Sequence, residues 1–148
     1  FRSVIVVPDF EVSTKEARKK LPEQISLADG IYNVQRVGML MAAFAYGQNE
    51  KFRESMQDKF HQPYRKELMG PLDEVFAAAY EVGAMGACIS GAGPCVLAIC
   101  DENAGKVGLA MREVYRNHGI GTKMHVLRIA SLGAHAVDEL GDDLATAV

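Results

Sequence analysis

The sequence predicts an α+β fold, a two-layer sandwich in which a mostly antiparallel sheet carries its helices on one face. Three observations lead there. Short β-branched or apolar runs alternate with longer segments of helical periodicity. Two strand-like runs, 87–90 and 95–100, are separated only by a glycine-rich turn, which makes them hairpin neighbours. No internal repeat, low-complexity tract or Pro/Ser linker divides the chain, so 1–148 reads as a single domain.

The elements follow in order. Residues 3–7 are mostly β-branched and end at Pro8, which reads as a buried strand. Ser13 lies three residues before Glu16, the spacing of a capping box, so a helix starts there and stops before Pro22. A long helix is expected over 27–48, with Ser26 as its cap. Leu27, Ile31, Val34, Gly38, Met41 and Ala45 share one face, beside Val37, Leu40 and Phe44. That face is expected to meet the sheet, with Gly30 and Gly38 allowing close approach. A short helix is expected over 49–56, and an irregular stretch over 61–70 around Pro63. Pro71 suits the first turn of a helix reaching about Val82.

The unbroken apolar run 95–100 reads as a central strand. Residues 103–118 form an amphipathic helix with Val107, Ala110, Met111, Val114 and Tyr115 inward and Gly119 as its left-handed cap. Residues 122–130 should be the last strand, and the tail 138–148 frayed or weakly helical.

Composition narrows the function classes. Hydrophobic residues make up 49% and charged residues 24%, with a net charge of −3, which excludes intrinsic disorder. No basic excess exists to neutralise phosphates, which argues against a nucleic-acid partner. Residues 82–100 carry no charge and are long enough to span a bilayer. Gly83, Gly86, Gly91, Gly93 and Pro94 break them into a buried core and a loop, so no membrane partner is expected. Three cysteines with no C-x-x-C pair fit a reduced, cytoplasmic protein. The chain opens on Phe1 rather than Met, as expected of a piece of a longer protein.

Chemistry concentrates in three segments. Ser90-Gly91-Ala92-Gly93-Pro94 can place successive N–H groups around an anion. From composition alone, a tight hairpin with no ligand is the favoured reading. No Gly-Lys-Ser/Thr follows, so this is not a P-loop. Arg18, in Ser-Thr-Lys-Glu-Ala-Arg, and Arg65, in His-Gln-Pro-Tyr-Arg, each present a planar fork that matches a carboxylate. Taken alone, each reads first as a surface arginine. His61 has no partner at metal-ligand spacing, and no metal site is expected.

The segment 83–98, Gly-Ala-x-Gly-Ala-x-x-Ser-Gly-Ala-Gly-Pro and the strand after it, resembles the third conserved motif of the kinases named for galactokinase, homoserine kinase, mevalonate kinase and phosphomevalonate kinase. Its form is similar to the homoserine kinase version, and the two arginine segments occur in that family's order. The resemblance covers about 4–137 and implies a ferredoxin-like carboxy-terminal kinase domain. It implies that Ser90, Gly91, Ala92 and Gly93 support the nucleotide phosphates. Arg18 and Arg65, with His61 more weakly, would pair with the carboxylate of the amino-acid substrate. Cys95 stands where the family commonly has Thr or Ser, so that hydroxyl is missing.

The implied reaction is phosphoryl transfer from ATP to L-homoserine, giving O-phospho-L-homoserine, a step towards threonine. ATP and Mg²⁺ would be held mainly by an amino-terminal domain, because no Pro-x-x-x-Gly-Leu-Gly-Ser-Ser-Ala loop occurs here. No catalytic residue is assigned, and the isolated chain is expected to be inactive. A homodimer is implied by the family alone. Two other readings stand beside this one: a kinase of the same superfamily acting on mevalonate-type or sugar substrates, and a non-catalytic ligand-binding or oligomerisation domain.

Overall fold

A computed structural model describes residues 1–130. The elements are β1 (Arg2–Pro8), α1 (Thr14–Lys19), α2 (Leu27–Tyr46), α3 (Phe52–Ser55), α4 (Gln62–Arg65), α5 (Leu72–Glu81), β2 (Gly86–Ile89), β3 (Val96–Cys100), α6 (Ala104–Asn117) and β4 (Thr122–Arg128). Short 3-10 turns, Asn49–Lys51 and Lys66–Leu68, lead into α3 and out of α4. The expected tail at 138–148 lies outside the described residues.

The four strands form one antiparallel sheet in the order β2-β3-β1-β4, so the predicted central strand β3 and the amino-terminal strand β1 are both interior. Register decides which side chains meet. Val4 faces Ala98 and Val6 faces Val96, while Ala87 faces Ala98 and Ile89 faces Val96. Opposed residues share a face, so these six build one apolar surface. Helices α5 and α6 cover it with Leu72, Val75, Ala79, Val107, Met111 and Tyr115. This is the predicted sandwich.

Gly108 sets how closely α6 approaches. A Cβ there would lie 2.9 Å from Val4 Cγ1 and closer still to Met124 Sδ. The helix therefore rests on β1 and β4 with its backbone.

Residues of opposite parity, Leu97 and Ile99, point to the other face. There they meet a smaller cluster of Ala43, Phe52, Leu40 and Met56 from α2 and α3. The placement of α2 corrects one expectation. Leu27, Ile31, Val34 and Met41 do not meet the sheet but are exposed, and nothing lies within 4 Å of a Cβ built on Gly38. Leu40 and Ala43 face inward instead. The physical reason is visible in the polar residues of the same side. Tyr32 Oη donates to Gln57, Asn33 Nδ2 donates to Asp58, and Arg36 pairs with Glu54 at 3.1 Å. These partners turn the mixed stripe inward and leave the purer apolar stripe outside.

Local signals were followed closely elsewhere. Ser26 caps α2 by accepting from Asp29 N–H at 3.0 Å, and Gly47 ends it with φ 64°. Ser13 precedes α1, but its side chain makes no capping hydrogen bond, so the expected capping box is not formed. Residues 61–70, expected to be irregular, contain α4 and a 3-10 turn.

Candidate functional site

Asp58 organises the site. It is mostly buried, and its carboxylate accepts from the N–H groups of Phe60, His61 and Gln62 at 2.6–2.9 Å and from Asn33 Nδ2 at 2.7 Å. Burial pushes this carboxyl up, but the hydrogen bonds from Gln62, Asn33, His61 and Phe60 outweigh it and hold it below its ordinary value. The charge starts α4 by taking the donors that a helix entry leaves open. Gln62 then fastens α4 to the sheet: its Oε1 accepts from Ile89 N–H at 2.8 Å, and its Nε2 donates to Met56 O at 3.3 Å.

One turn later Arg65 is buried, which is rare for arginine unless its donors are used. Here Nε donates to Ala17 O at 3.3 Å and Nη1 donates to Gly91 O at 3.1 Å. Nη1 also lies 3.5 Å from His61 Nδ1. Among the described residues Nη2 has no hydrogen-bond partner, so one edge of the fork remains available. Burial, with the Arg65 charge adding to it against the pull of Asp58, holds the His61 imidazole below its ordinary pKa. A neutral ring can accept from the guanidinium.

The structure thus brings three of the predicted pieces together. Arg65 touches the loop at Gly91, approaches His61, and binds the carbonyl immediately before Arg18. Arg18 itself is in the last turn of α1, exposed, with no ion pair among the described residues.

The loop joining β2 to β3 is closed by Ser90 N–H donating to Cys95 O at 2.8 Å and Gly93 N–H donating to Ser90 O at 3.1 Å. Gly91 has φ 62° and Gly93 φ 85°, values that favour glycine. A Cβ on Gly93 would also strike the Met69 side chain, whereas above Gly91 the space is open. Among the described residues no acceptor takes the N–H of Gly91 or Ala92. Two adjacent free donors on an open turn are the elements of an anion nest. Beside this loop an open cleft of about 730 Å³ runs along Asp9, Glu11, Ser13, Glu16, Pro94 and Cys95, and neither arginine lines it.

Asn33, Asp58 and Gln62 are site-building residues that motif reading passed over. Their signal was weak but present: an aspartate just ahead of a proline-containing turn is a capping pattern. Ala17 could not have been found, because its carbonyl is the only group used.

A protein-family model described as "GHMP kinases C terminal" matches residues 40–117. The chain belongs to this kinase family. It is also 43% identical over 134 residues to the homoserine kinase of Persephonella marina, covering 90% of this chain and 45% of that protein. It is 38% identical over 135 residues to the homoserine kinase of Clostridium beijerinckii, covering 91% and 45%. The crystal structure of homoserine kinase from Cytophaga hutchinsonii is similar with TM-score 0.82 at 35% identity, over 86% of this chain and 41% of that one. A phosphomevalonate kinase from Streptococcus pneumoniae shares the fold with TM-score 0.57 at 18% identity. The chain spans a little under half the length of the homoserine kinases it matches.

Proposed function

We propose that these residues are the carboxy-terminal half of a homoserine kinase, which moves the γ-phosphoryl group of ATP to the side-chain hydroxyl of L-homoserine. The observation that carries this reading is the bridge made by Arg65. One buried guanidinium joins the glycine loop to the carbonyl beside Arg18. In this reading the carboxylate site and the phosphate site are neighbours, as a kinase for a small amino acid requires. The names of the relatives support the choice of homoserine.

In this reading Arg18 and the open Nη2 edge of Arg65 hold the substrate carboxylate, and His61 lines the same corner. Fixing one end of so small a molecule fixes where its hydroxyl points, and alignment supplies much of the rate in phosphoryl transfer. Ser90, Ala92 and Gly93 shape the loop, and the Gly91 and Ala92 N–H groups face the phosphates. Mg²⁺ brings charge neutralisation on those phosphates when bound. Among the described residues no group of three His, Cys, Asp or Glu could hold a metal ion. ATP and Mg²⁺ binding falls mainly to the amino-terminal domain of the same enzyme.

Arginine truncation in the full-length enzyme tests the reading. Because the Arg18 side chain makes no hydrogen bond or ion pair among the described residues, Arg18→Ala is the cleaner variant. Loss of a charge-assisted hydrogen bond of about 1.5–3 kcal/mol weakens kcat/KM for homoserine by about 10–100-fold. The KM for ATP should stay unchanged. Arg65→Ala should show the same loss with added instability. Unchanged homoserine kinetics in both variants would sink the assignment. The 148-residue chain alone should show no turnover with ATP, Mg²⁺ and homoserine.

A further inference from the structure

Helix α2 carries a large apolar face that nothing in the described residues covers. Leu27 is 81% exposed, Val34 72%, Val37 62% and Met41 65%. Singly exposed apolar residues are ordinary, but a contiguous strip of this kind marks an interaction surface. Its order is informative. Leu27, Ile31, Val34, Gly38, Met41 and Ala45 follow one another at intervals of four, three, four, three and four. That is the seam spacing with which one helix accepts another. Near its middle, Gly38 has open space above it, so a facing backbone can come close.

The surface does not end with the seam. Phe44 is partly exposed and packs edge-on against Phe52 and Phe1, with ring centroids 4.8 and 5.6 Å away. Beside it, a cavity of about 310 Å³ opens between α2 and the less covered face of the sheet. Val37, Leu40 and Phe44 line it from the helix, Leu97 from the sheet, and Asn33 and His61 from the site. The apolar surface is thus continuous with the site that Asp58 and Arg65 assemble. A segment joined ahead of Phe1 would enter at this same patch.

We propose that the outer face of α2, with Phe44 and the mouth of the adjoining cavity, seats the amino-terminal portion of the full-length protein through an apolar-faced helix of that portion. The homoserine kinases that match this chain are about twice its length, and the matching family model describes a C-terminal unit. The inference rests on the reading that such a portion exists and completes the active site. It adds where that portion sits. Seating it over the mouth of the cavity brings it near Asn33, which lines that cavity and whose hydrogen bond to Asp58 leads directly to α4.

Photo-crosslinking of the full-length protein decides the matter, with benzoylphenylalanine in place of Val34 and, as control, in place of Leu109. Leu109 is 58% exposed on α6, on the far side of the sandwich. The expected product is an intramolecular crosslink from position 34 to an amino-terminal peptide, with none from position 109. Hydroxyl-radical labelling of the unsubstituted protein gives a second readout. Labelling at Val34, Val37 and Met41 should fall about tenfold or more from the 148-residue chain to the full-length protein, as for a surface rarely opened. A crosslink joining two copies, or protection that grows with concentration in the 148-residue chain, overturns the proposal in favour of a second copy. Unchanged labelling overturns it outright. Assaying the same sample with ATP and homoserine separates the two readings. Crosslinking without homoserine turnover keeps the surface and removes the substrate, and the reverse keeps the substrate and removes the surface.

Discussion

The two faces of the sheet are built differently. On one, α5 and α6 close over Val4, Val6, Val96 and Ala98, and the residues between are fully buried. On the other, α2 and α3 reach Leu97, Ile99 and the β2 backbone at Gly86, and α2 turns its most regular apolar stripe to solvent. The first face holds the fold together. The second is unfinished by the standard of the first, and it is the second that borders Asp58, His61 and the cavity beside them. The difference suggests that stability and assembly are assigned to opposite sides of one sheet.

The sharpest way to break that division is Met111→Ala. Met111 is fully buried among α6 contacts, and its loss should lower stability by about 2–5 kcal/mol in urea unfolding. A small effect would mean that the closed face is not where the stability lies. Gly108→Ala should come next, at about 1–3 kcal/mol, because the added methyl meets Val4 and Met124.

Tyr115 sharpens the picture in the other direction. Its hydroxyl is buried without a hydrogen-bond partner among the described residues, and burial, with Cys95 adding, raises its pKa to about 12. Tyr115→Phe should therefore gain about 1 kcal/mol by removing an unmet donor. On the open face, Gly38→Ala should stabilise the 148-residue chain by about 0.5–1 kcal/mol, as expected for an uncrowded helix interior. The same change in the full-length protein should lose that gain if a helix packs there.

The mildest effect concerns pH. His61 is held below its ordinary pKa in the folded chain, so unfolding takes up a proton. Its contribution is complete above the ordinary imidazole value of 6.5 and is lost as pH falls from there towards the folded value. Asp58 is also depressed, so its contribution is lost in turn as pH falls below 3.8. His61→Gln should remove the first of these two steps from a stability-against-pH curve and leave the second.

Much of this was legible in the sequence. The strands, the hairpin and α6 were given away by apolar runs, by Gly91 and Gly93, and by the spacing of Val107, Met111 and Tyr115. The orientation of α2 was not, because apolar residues lie on both of its sides and periodicity cannot say which is covered. The polar ties from Tyr32, Asn33 and Arg36 settle it, and their partners lie 18–25 residues away. The site shows the same limit. Arg65 and the glycine loop could be singled out by residue type, but their contact spans 26 residues and uses a backbone oxygen.

That last contact has a consequence for how such a site can change over time. Arg65 reaches Ala17 and Gly91 through main-chain carbonyls, which every residue type supplies equally. The side chain at position 17 can drift within the limits of its packing without weakening the tie. Arg65 has no such latitude, since lysine offers a single point of charge in place of a fork that spans two segments. The architecture of this corner is therefore inherited through one side chain and two main-chain carbonyls, so sequence variation around it should be tolerated unevenly, with the constraint falling on position 65 and, through its left-handed backbone, on Gly91, and least on position 17.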